Sequence, residues 1–136
     1  MKWVVDTGLL FAAVNVRHEK NAAARRWLDK AKEEGWGVPV EAFLGTIRLL
    51  MNEKVMLGSP LDASEAVEVV RVELAGRHKG GILHGEPDDK FLLRAQGHRQ
   101  IMDFHLVGIA AAHKARLATL DRGLAREWPQ FTGLVG

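Results

Sequence analysis

Four carboxylates fall where chemistry could use them. Val4-Val5-Asp6-Thr7 and Thr119-Leu120-Asp121-Arg122 each place an acid after a β-prone run and before a helical one. An Asp at that position is also a good helix N-cap, stabilising by ~1 kcal/mol, and for either residue taken singly the cap is the favoured reading. Asp103 shifts the balance. Leu106, Val107 and Ala110 follow it at i+3, i+4 and i+7, so the acid heads an apolar helical stripe. An unpaired charge there is expensive, and it needs a cation or a dense set of donors. Glu41 follows Val38-Pro39-Val40 and shares a helical face with Gly45 and Arg48. It is a fourth member of the set, a first-turn acid favoured by the helix dipole, or a partner of Arg48.

Were the four acids to meet, each pair ~5 Å apart would repel by about 3 kcal/mol at an effective dielectric of about 20. Helix caps cannot offset that much repulsion, but a divalent cation can. An all-oxygen cluster without His or Cys suits Mg²⁺ or Mn²⁺ rather than zinc. Such ions activate water and neutralise the charge that develops on a phosphodiester. Overall charge agrees: nineteen Lys and Arg stand against seventeen Asp and Glu, and against thirteen once four acids are withdrawn to a metal site. The remaining surface would suit a polyanion.

The elements that must position these acids alternate in type. Trp3-Val4-Val5 reads as strand and Leu9 to Val14 as helix. Glu19 to Glu34 is an amphipathic helix with Ala23, Ala24, Trp27, Leu28 and Ala31 on its apolar stripe, ended by Gly35 and Gly37. Val38–Val40 is a second extended run, followed by a helix from Glu41 to Asn52. Asp62 and Glu65 form a capping-box pattern ahead of a helix that buries Ala63, Ala66, Val67, Val70 and Leu74. Ile82-Leu83 is a third strand. Helices at Asp89–Gln96 and Ile101–Lys114, a strand at Arg116–Leu120, a helix at Asp121–Glu127 and a weak strand at Phe131–Val135 complete the chain. Strand–helix alternation implies parallel strands joined by crossovers, hence an α/β sandwich. Ligands in such sheets sit beyond the carboxyl ends of the strands.

Composition sets the remaining bounds. With 136 residues, 47% hydrophobic and 26% charged, the chain matches one domain, expected to span 1–136. The absence of cysteine excludes disulfide scaffolds, thiolate nucleophiles and iron–sulfur clusters, and fits a cytoplasmic home. Asp6 interrupts the apolar start, so neither a signal peptide nor a membrane span is expected. No Walker loop, dinucleotide glycine fingerprint, HExxH or G-x-S-x-G pattern occurs. His105 and His113 are read as unrelated to the acids, with His113 at a helix C-terminus, and the four tryptophans are read as packing anchors.

Taken in order, Val4-Val5-Asp6-Thr7, Arg48-Leu49-Leu50-Met51-Asn52, Ser59-Pro60-Leu61, Asp103-Phe104-His105-Leu106 with Ile109-Ala110, and Leu117 to Gly123 resemble the PIN-domain family. The closest likeness is to the VapC-like toxins of toxin–antitoxin pairs. The resemblance implies a three-layer α/β/α sandwich with a central, mostly parallel sheet. It also implies a Mg²⁺- or Mn²⁺-dependent endoribonuclease, homodimerisation, and inhibition by a cognate antitoxin. Asp6, Glu41, Asp103 and Asp121 would be its catalytic, metal-holding acids, with Thr7 and Thr119 as supporting hydroxyls. Arg94 and Arg99, in a basic patch just before Asp103, and Arg122 are candidates for RNA phosphate contacts, the patch being equally readable as a solvated face. Three positions depart from the family pattern: Gly8 replaces a polar residue, Met102 replaces a small or hydroxyl one, and Glu41 precedes the usual glutamate position, here Gly45, by one turn. The alternatives are a catalytically silent PIN domain that binds RNA or protein, and a metal-dependent phosphohydrolase of small phosphate esters.

Overall fold

The computed structural model describes residues 1–136. Its elements run β1 (Trp3–Val5), α1 (Thr7–Val14), α2 (Asn21–Lys32), β2 (Trp36–Pro39), α3 (Val40–Leu50) and α4 (Ala63–Leu74), then β3 (Gly81–Leu83), α5 (Asp89–Leu92), α6 (Gln100–Ala112), β4 (Arg116–Thr119), α7 (Arg122–Glu127) and β5 (Thr132–Leu134). The five strands pair in the order β3-β2-β1-β4-β5, and every pairing is parallel. Alternation of strand and helix therefore led to the right architecture. One boundary moved for a packing reason: β2 begins at Trp36, before Gly37, which the sequence suggested as a helix-ending residue. A Cβ on Gly37 would sit 2.9 Å from a Leu83 methyl, so this glycine lets β2 and β3 pack and does not break the chain.

Alternation along each strand divides the core in two. Val4 and Leu117 face a cluster containing Phe91, Phe104, Val107, Leu124 and Trp128. Val5 and Ala118 face the opposite cluster, built from α1, α2, α3 and α4. The sheet is thus the middle of three layers. Along α4 the buried residues are Ala66, Val70 and Leu74, while Ala63 and Val67 are exposed, so the stripe is narrower than periodicity suggested. Glu73, on the same helix, is only 12% exposed and pairs with both Arg25 and Lys32, tying α4 to α2. Burial alone would raise its pKa, but the hydrogen bonds from Arg25 and Lys32 outweigh that and lower it. Trp36 and Trp128 are core residues, and Trp3 meets Trp27 edge to face at 5.1 Å. No helix is long and apolar enough to cross a membrane.

The strand order places a switch point between β1 and β4. From β1 the chain winds outward through β2 and β3 on one side, then returns to β4 and continues outward to β5 on the other. Crossovers diverging in this way leave a crevice at the carboxyl edge.

Candidate active site

Val5 lies opposite Ala118 in the parallel β1–β4 pair, so Asp6 and Asp121 leave the sheet at the same edge. The Asp6 backbone N–H donates to the Ala118 carbonyl at 3.2 Å, extending the ladder to the acid itself. Asp6 is buried, and its Oδ1 accepts from the Leu9 N–H at 2.8 Å as the N-cap of α1. Asp121 caps α7 in the same manner, accepting from Leu124 N–H at 3.0 Å. Both cap readings are therefore right, and neither excludes chemistry, because a cap uses one carboxylate oxygen and leaves the other. The buried Thr119 hydroxyl accepts from the Asp121 N–H at 3.0 Å and is hydrogen-bonded to Asp6, linking the two acids.

Asp103 enters from the first turn of α6, half-buried above Phe104, Leu106 and Val107. Electrostatic repulsion couples these three residues. Burial, with the charges of Asp103 and Asp121 adding to it, raises the Asp6 pKa to about 6 against the lowering hydrogen bonds of Thr119 and Leu9. Burial and then Asp121 push Asp103 upward too. No Lys, Arg or His pairs with any of the three. A cleft of about 120 Å³ between α6 and α7 is lined by Asp103, Asp121, Gln100 and Glu127 among others. Oxygen-only donors without a compensating cation are the chemistry a hard divalent ion takes. In the present conformation, however, no three His, Asp or Glu side chains converge closely enough to hold one.

Glu41 is turned elsewhere. Its Oε2 lies 2.7 Å from His105 Nε2, joining α3 to α6, while Glu41 Oε1 and His105 Nδ1 are buried without partners. The suggested pairing of Glu41 with Arg48 does not form, because His105 takes the carboxylate instead. His105 is 64 residues from Glu41, and local sequence holds no sign of the contact. Its one available signal is its place two residues after Asp103, which turns it roughly 200° round the helix and away from the acid's stripe.

The departures from the family pattern have structural counterparts. A Cβ on Gly8 would meet only Asp6 Oδ1, at 3.9 Å, so the flank of Asp6 has room for a side chain and lacks one. A Cβ on Gly45 would lie 2.9 Å from the Thr7 methyl, so α3 rests on Thr7 and a glutamate there would have to displace it. Exposed Met102 lines a depression beside Glu41 and Thr7. Among the basic residues, Arg94 is already engaged, bonded to Glu127 at 2.8 Å and stacked 4.2 Å over Trp128. Arg99 and Arg122 are exposed and without ion pairs.

Comparison with known proteins agrees with this architecture. The family model for the PIN domain matches residues 3–127. Ribonuclease VapC39 of Mycobacterium tuberculosis is 28% identical over 133 residues, covering 92% of each chain. Ribonuclease VapC29 of the same organism is 27% identical over 133 residues, covering 92% of this chain and 90% of the relative. Ribonuclease VapC44 is 25% identical over 131 residues, covering 92% and 89%.

Ionising Asp6 inside this site has a measurable cost. A folded pKa of about 6 against an ordinary 3.8 favours the fold fully below the lower value and loses that advantage as pH rises through the upper. The difference corresponds to about 3 kcal/mol. Asp6→Asn keeps the cap and removes the charge. Denaturant unfolding with chelator present should show the wild type losing stability between about pH 4 and pH 7, and the variant losing on the order of 1–3 kcal/mol less. Parallel pH profiles for the two proteins would overturn this account of Asp6.

Proposed function

The chain belongs to the PIN-domain family, and from that premise we propose that it is a Mg²⁺- or Mn²⁺-dependent endoribonuclease of the VapC kind, hydrolysing RNA phosphodiester bonds. The observation that carries this reading is the trio Asp6, Asp103 and Asp121, gathered at the sheet's switch point with no basic partner. The ribonuclease names of its relatives support the substrate class. Asp6, Asp103 and Asp121 would hold the ion, which when bound supplies the Lewis acidity that activates water and offsets charge on the phosphodiester. Asp6 is the rigid member, fixed by Leu9 and Thr119. Asp103 and Asp121 form the more open wall of the cleft, where a substrate phosphate enters. Glu41 would complete a quartet through Oε1, the oxygen that His105 leaves without a partner. Arg99 and Arg122, each next in sequence to a residue lining the cleft, take flanking phosphates.

A second reading, a silent PIN domain, is favoured by the failure of three ligands to converge. Asp103→Asn decides between them. Metal-stimulated cleavage of single-stranded RNA should fall by about 100-fold or more with the fold retained by circular dichroism. Equal cleavage by variant and wild type, or wild-type activity confined to phosphate monoesters, would refute the ribonuclease reading. Failure of the wild type to bind Mn²⁺ by calorimetry would favour the silent one.

The reading brings two protein partners and a cytoplasmic setting. Pairing of two copies would merge their basic surfaces into a longer groove for RNA. A light-scattering mass of twice 15.1 kDa is expected, and the mass of one chain at micromolar concentration would rule the homodimer out. The cognate antitoxin would lay apolar side chains in the depression between Val14, Val16, Leu50, Met56 and Leu61 and send an Arg to the acids. Its Arg-bearing segment should then bind more weakly as Mn²⁺ rises, and more weakly to Asp103→Asn. An affinity indifferent to both changes would show inhibition that bypasses the acids.

A further inference from the structure

Two depressions adjoin on the α3 side of the acids, of about 310 and 360 Å³, and both are lined by Thr7, Gly45 and Arg48. They differ in charge from the cleft on the α6–α7 side. That cleft holds Asp103, Asp121 and Glu127, which repel a phosphate unless a cation lies between. The α3 depressions contain one acid, Glu41, whose Oε2 is bound by His105 and whose Oε1 is buried. Arg48 is exposed and makes no ion pair or side-chain hydrogen bond. The other arginines that line depressions are occupied: Arg25 by Glu73 and Asp29, and Arg17 by the Met56 carbonyl. The Glu41–His105 pair thus leaves Arg48 without an ion pair, where the sequence had left pairing with Glu41 as one of three readings.

Position adds to charge. Thr7, next in sequence to Asp6, lines both depressions, and Met102, next to Asp103, lines one of them. Gly45, one turn before Arg48, carries no side chain and rests against Thr7, so the floor between Arg48 and Thr7 stays low. Asn52, one turn beyond Arg48, lines the outer depression with its Oδ1 accepting from Val55 N–H, which leaves its amide N–H₂ to donate.

We infer that Arg48 is the seat for a phosphate of single-stranded RNA next to the one cleaved, and that the strand leaves the acids over Thr7 along α3. This rests on the ribonuclease reading and specifies which surface the strand follows. The guanidinium fork pairs with two phosphate oxygens, and Asn52 donates to the sugar or base beyond.

The test uses the full chain carrying Asp103→Asn to suppress cleavage, with fluorescence anisotropy of a labelled single-stranded oligoribonucleotide between about 50 and 200 mM salt. Adding Arg48→Gln should weaken binding about 5- to 10-fold and lower the slope of log affinity against log salt by about 0.7. Arg48→Lys should keep the slope. Arg77→Gln, in the exposed loop before β3 at the opposite edge of the sheet, should change neither quantity. In the cleavage-competent chain, Arg48→Gln should raise KM with kcat kept. If Arg48→Gln behaves like Arg77→Gln while the parent binds RNA, the phosphate seat is refuted and the ribonuclease reading stands. A parent that neither binds nor, with Asp103 intact, cleaves RNA would refute the reading and this inference with it.

Discussion

The pairing of β1 with β4 is the constraint on which the rest depends. It sets two strands distant in sequence side by side in parallel, with Val5 opposite Ala118, and so aims Asp6 and Asp121 from one edge of the sheet. Hydrogen bonds between parallel strands fix this register, and the alternation of Val4 and Val5 into opposite core clusters locks it, since a one-residue slip would turn each side chain to the wrong layer. The helices then have little freedom. α6 must cover Val4 and Leu117, and in doing so it brings Asp103 to the same crevice.

Gathering like charges works against the fold, and the structure shows how the conflict is contained. Asp6 and Asp121 each satisfy a helix N-terminus, so each acid contributes to stability through its cap while remaining available through its second oxygen. Thr119 ties one acid's backbone to the other's carboxylate. What remains is an upward pressure on the Asp6 and Asp103 pKa values that only protonation or a bound cation relieves. A site held this way is strained electrostatically but well ordered.

The two sides of the crevice have been given different electrostatic characters by one hydrogen bond. His105 draws Glu41 away from both the aspartates and Arg48. The α6–α7 side holds Asp103, Asp121 and Glu127, and the α3 side holds Arg48 without an ion pair.

Most of the fold was legible in the linear order of residues. The alternation of β-prone and amphipathic segments, the capping box at Asp62 and Glu65 and the apolar stripe behind Asp103 are local signals, and they led to the α/β sandwich and to Asp6, Asp103 and Asp121. Local signals succeed there because caps and helical periodicity act within a few residues. The rest was decided by contacts between distant segments. Gly37 looked like a breaker until Leu83 required its missing side chain, and Arg94 looked free until Glu127 and Trp128 engaged it. Glu41 had three plausible roles on its own helix. Only the packing of α3 near α6 supplied His105, because a hydrogen bond between helices depends on where the layers bring their faces and not on spacing along either chain.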